Sequence, residues 1–500
     1  MIKDSLKQFV TYGFGGVAQG ALQFILLPLY LRFFDPAGYG VISLLLVIIS
    51  LLTLFANVGM VSALLRLYFE AEPSERKKLI GNTWLWYLFG ATIGGIVLFL
   101  NAPFFSQMLF HTINYSYPFK LVGAFFFFSL LLDIPFTILQ LEKRAGSYIS
   151  FSLFKFSSDF VLKFYFIGIL GRGIGGYFES GIIANIIILC SILPFTFKYV
   201  DFSLNVSYLK QLLRLGFPFV FSTIAIWTLG MSDRLILNYF CGEAAVGVYS
   251  LAYTFVNVFN IVLFNPSALF WQPFFFSCAA ERSTEDTKRL LSRSLTYFFL
   301  AGSILYLAIS LGTGDVLRLF TSLFASKQGY WQAAKLVPLL AIGPFLYLLS
   351  RQGSSALLLV KKPKFIAIAA SCAAVASLGL NFLLIPRFGA FGAGLSTAIA
   401  YALYSATVYG WAQRLFPIKY DIIQIAKGAL FLAFGFMIGW QIRIMQPLVS
   451  LFVRPITGVA IFALSIWFIS NILTKAERRS LIAFLKDGRR RLTGGLPLRS

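Results

Sequence analysis

The stretch FFDPAGYGVISL, residues 33–44, decides the fold, because it recurs 207 residues later as FCGEAAVGVYSL, residues 240–251. An apolar run precedes each copy, and the longer apolar run after it ends in a charged loop, ERKKL at 75–79 and DTKRL at 286–290. A period of about 200 residues is too long for a solenoid and is typical of a membrane protein with two duplicated halves. The identical positions are Phe33/Phe240, Ala37/Ala244, Gly40/Gly247, Val41/Val248, Ser43/Ser250 and Leu44/Leu251.

The composition supports a membrane protein. The 500 residues are 58% hydrophobic and only 12% charged, with a mean hydropathy of +0.81, whereas soluble domains carry roughly 25% charged residues. A net charge of +23 would suggest a nucleic-acid partner in a soluble chain. Here the basic residues lie between apolar runs, where they orient the protein in the bilayer, so we expect no nucleic-acid binding.

The apolar runs and the basic residues together predict a topology. A spanning helix needs about 20 mostly apolar residues, and we count fourteen such runs between residues 8 and 473. With the N-terminus in the cytoplasm, the cytoplasmic segments hold 29 Lys and Arg and the external segments hold 10. This bias predicts that both termini are cytoplasmic. Six spans separate the two copies, so the repeats are expected to be parallel, with a cavity at their interface.

We therefore predict an all-α, multi-pass membrane protein with four parts. Residues 1–205 and 206–415 are predicted to form two pseudo-symmetric six-helix bundles, and residues 416–474 two additional transmembrane helices. Residues 475–500 form a basic cytoplasmic tail. Such a tail either lies on anionic lipid headgroups or only improves solubility, and the sequence does not decide between the two.

The fifth span, residues 148–170, carries an unusual group of charges. Lys155, Asp159 and Lys163 are spaced i, i+4, i+8, which places them on one face of a helix. One charged residue at mid-membrane costs roughly 2.5–3.5 kcal/mol. This face should therefore meet a hydrated cavity or charged partners inside the protein.

Two interpretations of this face remain open. The three side chains could form a self-neutralising ladder that holds helices together. Alternatively, their excess positive charge joins that of Arg66 and Arg351, against Asp133 in the fourth span, and the cavity binds an anion such as a diphosphate. We predict these six residues as substrate-binding residues on the second interpretation.

Three charged residues lie near the external ends of spans. Asp233 and Arg234 close the seventh span, and Arg32 occupies the matching depth in the first. They either reach toward the headgroups as local pairs or mark a gate at the end of a transport path.

No pattern of catalysis is present in the sequence. His111 is the only histidine, which excludes His-dependent triads and multi-His metal sites, and there is neither a P-loop nor a GxGxxG after a strand. We expect no enzyme activity and no cofactor.

A membrane glycan polymerase or ligase, the alternative from another class, would need a large external loop with catalytic Arg or His. The loop at 313–334, with Arg318 and without histidine, is a poor candidate.

Several segments resemble one known family. They are FFDPAGYGVISLL after the first span, VSALLRLYFE closing the second, MSDRLILNYFCGEAAVGVYSLAYTFVNV across the seventh and eighth, KKPKF, and IPRFGAFGAGLSTAIAYAL. Their order and spacing resemble those of the polysaccharide flippases. These are the O-antigen and capsule exporters of the multidrug/oligosaccharidyl-lipid/polysaccharide superfamily.

The resemblance implies a MATE-like pair of six-helix bundles around a central cavity in the bacterial inner membrane. It further implies that undecaprenyl-diphosphate-linked oligosaccharide crosses to the outer leaflet by alternating access, with glycan polymerase machinery as a partner. By motif position Arg66 is the best match to a diphosphate-engaging cation, and Asp233–Arg234 matches a recurrent family pair. A lipid II-type flippase and a cation-coupled multidrug exporter share this fold and remain alternatives. Coupling to H⁺ or Na⁺ would use Asp133 or Asp159.

Overall fold

A computed structural model describes residues 24–281, 283–324, 329–442 and 444–468 of the chain. Every regular element in these ranges is helical, as predicted. The helices are α1 Phe24–Phe33, α2 Pro36–Asn57, α3 Met60–Glu70, α4 Pro73–Leu100, α5 Ala102–Phe110, α6 Ser116–Leu141, α7 Ala145–Lys163, α8 Gly173–Thr196, α9 Val206–Val256, α10 Asn265–Glu281, α11 Thr284–Phe324, α12 Trp331–Leu359, α13 Lys364–Leu415, α14 Ile422–Gln441 and α15 Pro447–Phe468. The predicted first span before residue 24 and the basic tail at 475–500 lie outside the described residues.

Ten helical segments in this part of the chain are long and apolar enough to cross a membrane. This confirms a multi-pass helical membrane protein. Two of the segments are longer than 50 residues, whereas a crossing needs roughly 20. α9 has 51 residues and bends at Gly242 (φ 77°, ψ 176°), and α13 has 52 residues and bends at Gly389 (φ 56°, ψ −133°). Only glycine adopts such backbone angles without strain, so each long helix folds back as two apolar arms.

Both copies of the repeat begin a helical arm at the same register. In the first copy the side chain of Asp35 accepts a hydrogen bond from the Gly38 amide at 2.8 Å, and Pro36 occupies the first turn of α2. These are favourable residues for a helix N-terminus. In the second copy the bend at Gly242 has the same effect, and the arm resumes at Glu243. The residues differ, Asp35–Pro36 in the first copy and Gly242–Glu243 in the second, but a helical arm begins at both places.

The two copies pack directly against each other. A Cβ atom built on Gly40 would overlap the carbonyl oxygen of Glu243, and one built on Gly247 would overlap that of Pro36. Pro36 and Glu243 are equivalent positions of the repeat, as are Gly40 and Gly247, so the contact is reciprocal. Close approach of two helix backbones requires residues without side chains, which explains the glycine shared by the two copies.

A second glycine contact joins α2 and α9 at the other end of α2. Val58 and Gly59 are left-handed (φ 43° and 71°) and end the helix. A Cβ atom on Gly59 would overlap the carbonyl oxygen of Gly216 in α9. Gly40 and Gly59 are 19 residues apart, which corresponds to about 28 Å along a helix. The two halves therefore touch near both ends of α2.

The last two helices pack on α11 rather than between the halves. The backbones of α14 and α15 approach at Gly435 and Gly458, and both glycines face neighbouring atoms that leave no room for a Cβ without movement. Asp315 of α11 is fully buried and accepts a hydrogen bond from Arg454 of α15 at 3.2 Å. A buried carboxylate needs such a partner, and this contact attaches α15 to the C-terminal half.

Candidate functional site

A polar cavity of about 450 Å³ opens inside the N-terminal half. It lies where the end of α2 and the start of α3 meet the C-terminal part of α6 and the N-terminal part of α7. All of its lining residues come from this half of the molecule. The lining residues are Asn57, Val61, Asp133, Phe136, Thr137, Gln140, Tyr148, Ser152, Lys155 and Phe156.

Asp133 and Lys155 are the two charges of this cavity. Asp133 is exposed to the cavity although it lies eight residues, about 12 Å, from the end of α6. Lys155 is ten residues, about 15 Å, into α7. Neither side chain makes an ion pair within the ranges that the structure describes. Both side chains instead line the polar cavity, which water can enter, and an unpaired charge in dry packing would be far more costly.

Lys163, in contrast, is buried and paired. Its Nζ atom lies 2.6 Å from Asp159 Oδ2, one helical turn earlier, and 4.2 Å from the centre of the Tyr177 ring. α7 ends here and continues as a π-helical turn, Phe164–Ile169. The spacing predicted that Lys155, Asp159 and Lys163 share one face. In the structure Lys155 lines the cavity, whereas Lys163 and Asp159 form an ion pair away from it.

Asp233 and Arg234 form a second buried pair in the C-terminal half. Arg234 Nη1 lies 3.1 Å from Asp233 Oδ1 and donates to the Gly230 carbonyl at 2.7 Å. Tyr249 donates to the other Asp233 oxygen at 2.5 Å, and the Tyr253 ring lies 4.4 Å from the guanidinium carbon. Both charged residues are buried. The interpretation as a pair reaching out to the headgroups is therefore wrong.

A row of tyrosines connects the two buried pairs. Tyr30 lies beside Tyr177, with ring centres 5.7 Å apart, and beside Tyr39 at 6.1 Å. The Tyr39 hydroxyl hydrogen bonds across the boundary between the halves to Thr254 at 3.3 Å, next to Tyr253. The row thus runs from Lys163 of one half to Arg234 of the other. Hydroxyl groups in apolar surroundings need such partners.

Arg351 retains its charge inside the C-terminal half. Its Nη1 atom donates to the Phe264 carbonyl at 2.9 Å and to Ser267 Oγ at 2.8 Å, and the guanidinium stacks on the Phe264 ring. These neutral acceptors lie beside a π-helical turn, Asn260–Phe264. Over the described ranges no carboxylate pairs with Arg351, so its positive charge is not cancelled locally.

The other two predicted cations lie at the surface. Arg66 is two-thirds exposed and forms only a loose pair with Glu70 at 3.7 Å. Arg32 is exposed, with its guanidinium near the Phe33 ring. The structure therefore brings Asp133 and Lys155 together in one cavity, whereas Arg66, Arg32 and Arg351 lie elsewhere.

Sequence reasoning missed most of the uncharged polar residues of the site. Asn57, Gln140, Tyr30 and Tyr177 are single polar residues in apolar helices, and nothing in their local spacing marks them. The repeat was the one available signal for Tyr249, which lies within its second copy. Among the described residues, no three His, Cys, Asp or Glu side chains come together as metal ligands would.

These features define a class: a helical membrane protein of two contacting halves, with unneutralised cations inside. The sequence family described as polysaccharide biosynthesis protein matches residues 5–278, more than half of the chain. The chain belongs to that family. No curated protein matches it in sequence.

Solved structures share the fold at low sequence identity. The lipid II flippase MurJ, in an inward closed conformation, has a TM-score of 0.71 at 15% identity, over 96% of this chain and 100% of that chain. An inward-facing multidrug resistance MATE transporter of the MOP superfamily has a TM-score of 0.64 at 16% identity, over 81% and 94%. A MOP superfamily transporter from Pyrococcus furiosus, described as having a binding pocket of reverse polarity, has 0.61 at 16%, over 82% and 95%. These matches confirm the predicted MATE-like helical fold.

Proposed function

We propose that this protein is a flippase that moves undecaprenyl-diphosphate-linked oligosaccharide from the inner to the outer leaflet of a bacterial plasma membrane. The lipid tail stays in the bilayer while the glycan and its diphosphate cross a hydrated path between the halves. Family membership and the shared fold support this function. The observation that carries the proposal is Lys155, a cation without an ion pair among the described residues that lines a polar cavity about 15 Å from the start of α7.

The proposed role of Lys155 is to bind the diphosphate. An ammonium group that is solvated by water, and not paired with a carboxylate, can exchange that water for phosphate oxygens. Arg351 would contribute a second cation from the C-terminal half, since its partners are neutral. Asp133 would partly offset the charge of Lys155 and so permit release. Its carboxylate is also the group best placed to take up a coupling proton or sodium ion.

The proposal includes the predicted architecture and topology. Fourteen spans would form two six-helix bundles, residues 1–205 and 206–415, followed by two helices at 416–474 and a cytoplasmic tail at 475–500. The bends of α9 and α13 support this count, because each contributes two apolar arms. Glycan polymerase machinery outside the membrane would receive the product.

A lipid analysis tests the proposal directly. Deleting the gene should trap undecaprenyl-linked oligosaccharide on the cytoplasmic side, as identified by mass analysis of extracted lipids and by its inaccessibility to an external glycosidase. A polymerase or ligase would instead leave single units exposed outside.

Complementation with Lys155→Ala should restore less than about a tenth of the export, since a lost charged contact is worth roughly 1.5–3 kcal/mol. The control Lys143→Ala, a loop residue away from the cavity, should restore export fully. Normal export with Lys155→Ala would refute the role of this residue.

A further inference from the structure

A second pocket, of about 670 Å³, lies between the start of α11 and the connection from α13 to α14. Four basic residues and one carboxylate line it, so the formal charge of its lining residues is +3. The lining residues are Glu285, Lys288, Arg289, Ser292, Arg293, Pro417 and Lys419. None of them belongs to the cavity of Lys155. On the predicted topology this pocket opens to the cytoplasm.

The pocket is built by two segments that are far apart in sequence. Ser292 Oγ donates to the Lys419 carbonyl at 3.0 Å, which joins α11 to the connection between α13 and α14. Gln413 holds that connection in shape through two bonds to the backbone of Ile418, at 2.7 and 2.8 Å. The cations therefore lie on a formed concave surface and not on separate loops.

Two of the cations, Arg289 and Lys419, form no ion pair with a carboxylate among the described residues. Glu285 pairs with Lys288 alone, at 3.1 Å. Asp286 accepts from the Ser283 hydroxyl at 2.7 Å, and Asp421 caps the start of α14 by accepting from the Gln424 amide. Both are thus engaged at helix starts. Arg289 and Lys419 are exposed on the pocket wall, and their charges are available to an anion.

On the predicted topology we expect the pocket to lie at the level of the lipid headgroups. The first ten residues of α11, at 284–293, are mostly polar, and the buried apolar residues Leu291 and Leu295 mark the beginning of the packed part of the helix. Trp411 lies near the same end of α13, stacked on Phe365 with ring centres 4.3 Å apart. Tryptophan is enriched at this level of membrane proteins. Basic pockets between helices on the cytoplasmic side bind phosphate-bearing headgroups.

We propose that this pocket is a phosphate-binding site, and that its occupant is the phosphate of an anionic lipid of the cytoplasmic leaflet or a free phosphate. The site shares no residue with the cavity of Lys155 and is independent of the proposed flippase function. A lipid bound here would contact α11 and the connection between α13 and α14, which the hydrogen bond from Ser292 to the Lys419 carbonyl holds together.

Native mass spectrometry of the full-length protein tests this site. The probes are phosphatidylglycerol and, as a neutral comparison, phosphatidylcholine. The variant Arg289→Ala/Lys419→Ala should weaken phosphatidylglycerol retention by roughly twentyfold, since each interfacial cation contributes about fivefold. The control Lys362→Ala/Lys427→Ala removes two exposed cations that do not line the pocket, and should change retention by less than about twofold.

A second measurement, calorimetry with inorganic phosphate on delipidated protein, distinguishes the two sources. Loss of phosphatidylglycerol in the pocket variant, without phosphate binding to the wild type, assigns the site to a lipid headgroup. Phosphate binding that the pocket variant abolishes, with lipid retention unchanged, assigns it to free phosphate. Equal losses in the pocket and control variants, or equal retention of phosphatidylcholine, would overturn the proposal. Thermal unfolding of each variant at the wild-type temperature establishes that the exposed substitutions leave the fold intact.

Discussion

Lys155 and Lys163 are the same residue type on the same helix face, yet their surroundings differ completely. They are eight residues apart, which is about 12 Å along α7. Lys155 meets a polar cavity, whereas Lys163 is buried against Asp159 and the Tyr177 ring. The neighbouring residues, and not the position in the sequence, decide whether a charged side chain is available to a substrate or forms a buried ion pair.

The buried pair makes a prediction about stability. Lys163→Met leaves the Asp159 carboxylate without its cation, and breaking a buried pair costs about 3–5 kcal/mol. The purified variant should therefore unfold at a clearly lower temperature. The double variant Asp159→Leu/Lys163→Met removes both charges and should recover most of the loss, because apolar replacement of a buried pair is often neutral.

The matched control for this prediction is Lys155→Met. That side chain lies on the cavity and makes no ion pair among the described residues, so its loss should change the unfolding temperature little. A Lys163→Met protein as stable as the wild type would show that the pair contributes nothing to folding.

At the scale of elements, the crossing of α2 with the second arm of α9 joins the two halves. The equivalent glycines Gly40 and Gly247 allow the backbones to touch, and each faces a carbonyl oxygen of the other helix. The repeat was visible in the sequence because this contact needs the same small residue twice. The structure was needed to show that the two copies contact each other reciprocally, because nothing in the local sequence of either copy indicates which segment it packs against.

Adding one methyl group at this crossing should separate the helices. Gly40→Ala places a Cβ where the Glu243 carbonyl oxygen lies, and backbone atoms cannot move aside as a flexible side chain can. Overpacking of this kind costs about 1–3 kcal/mol. We expect a lower unfolding temperature of the purified protein and a lower export rate.

Gly230→Ala is the control for that substitution. It lies in the same helix α9, and no atom lies within 4 Å of its added Cβ. Alanine is also the better helix former by about 1 kcal/mol, so this variant should be as stable as the wild type or more so. Equal behaviour of the two variants would mean that the close crossing is unimportant.

At the scale of the whole molecule, the halves touch at both ends of α2. Gly40 meets Gly247 at one end, and Gly59 meets Gly216 at the other. Ser50, between them, accepts a hydrogen bond from Trp227 at 2.9 Å. Alternating access would require one of the two glycine contacts to open at a time. Such contacts suit this movement because they depend on close backbone packing and involve no charged side chain that would lose its partner when the helices separate.

The orientation in the membrane is a prediction of the same scale, and cysteine labelling tests it. In a chain whose four native cysteines have been replaced, Met445→Cys should react with a membrane-impermeant maleimide on intact cells, since this side chain is 98% exposed between α14 and α15. Lys361→Cys, between α12 and α13, should react only after the cells are opened. The 29-to-10 distribution of basic residues is the physical reason. The reverse pattern of labelling would invert the topology.

The sequence by itself determined the membrane class, the repeated segment at 33–44 and 240–251, and the shared face of Lys155, Asp159 and Lys163. These properties follow from composition and from helical periodicity, which are local. Only the tertiary structure decided which charges are neutralised, because a charge is paired or solvated by residues distant in the chain. Tyr177 reaches Lys163 from α8, and Tyr249 reaches Asp233 across the bend at Gly242.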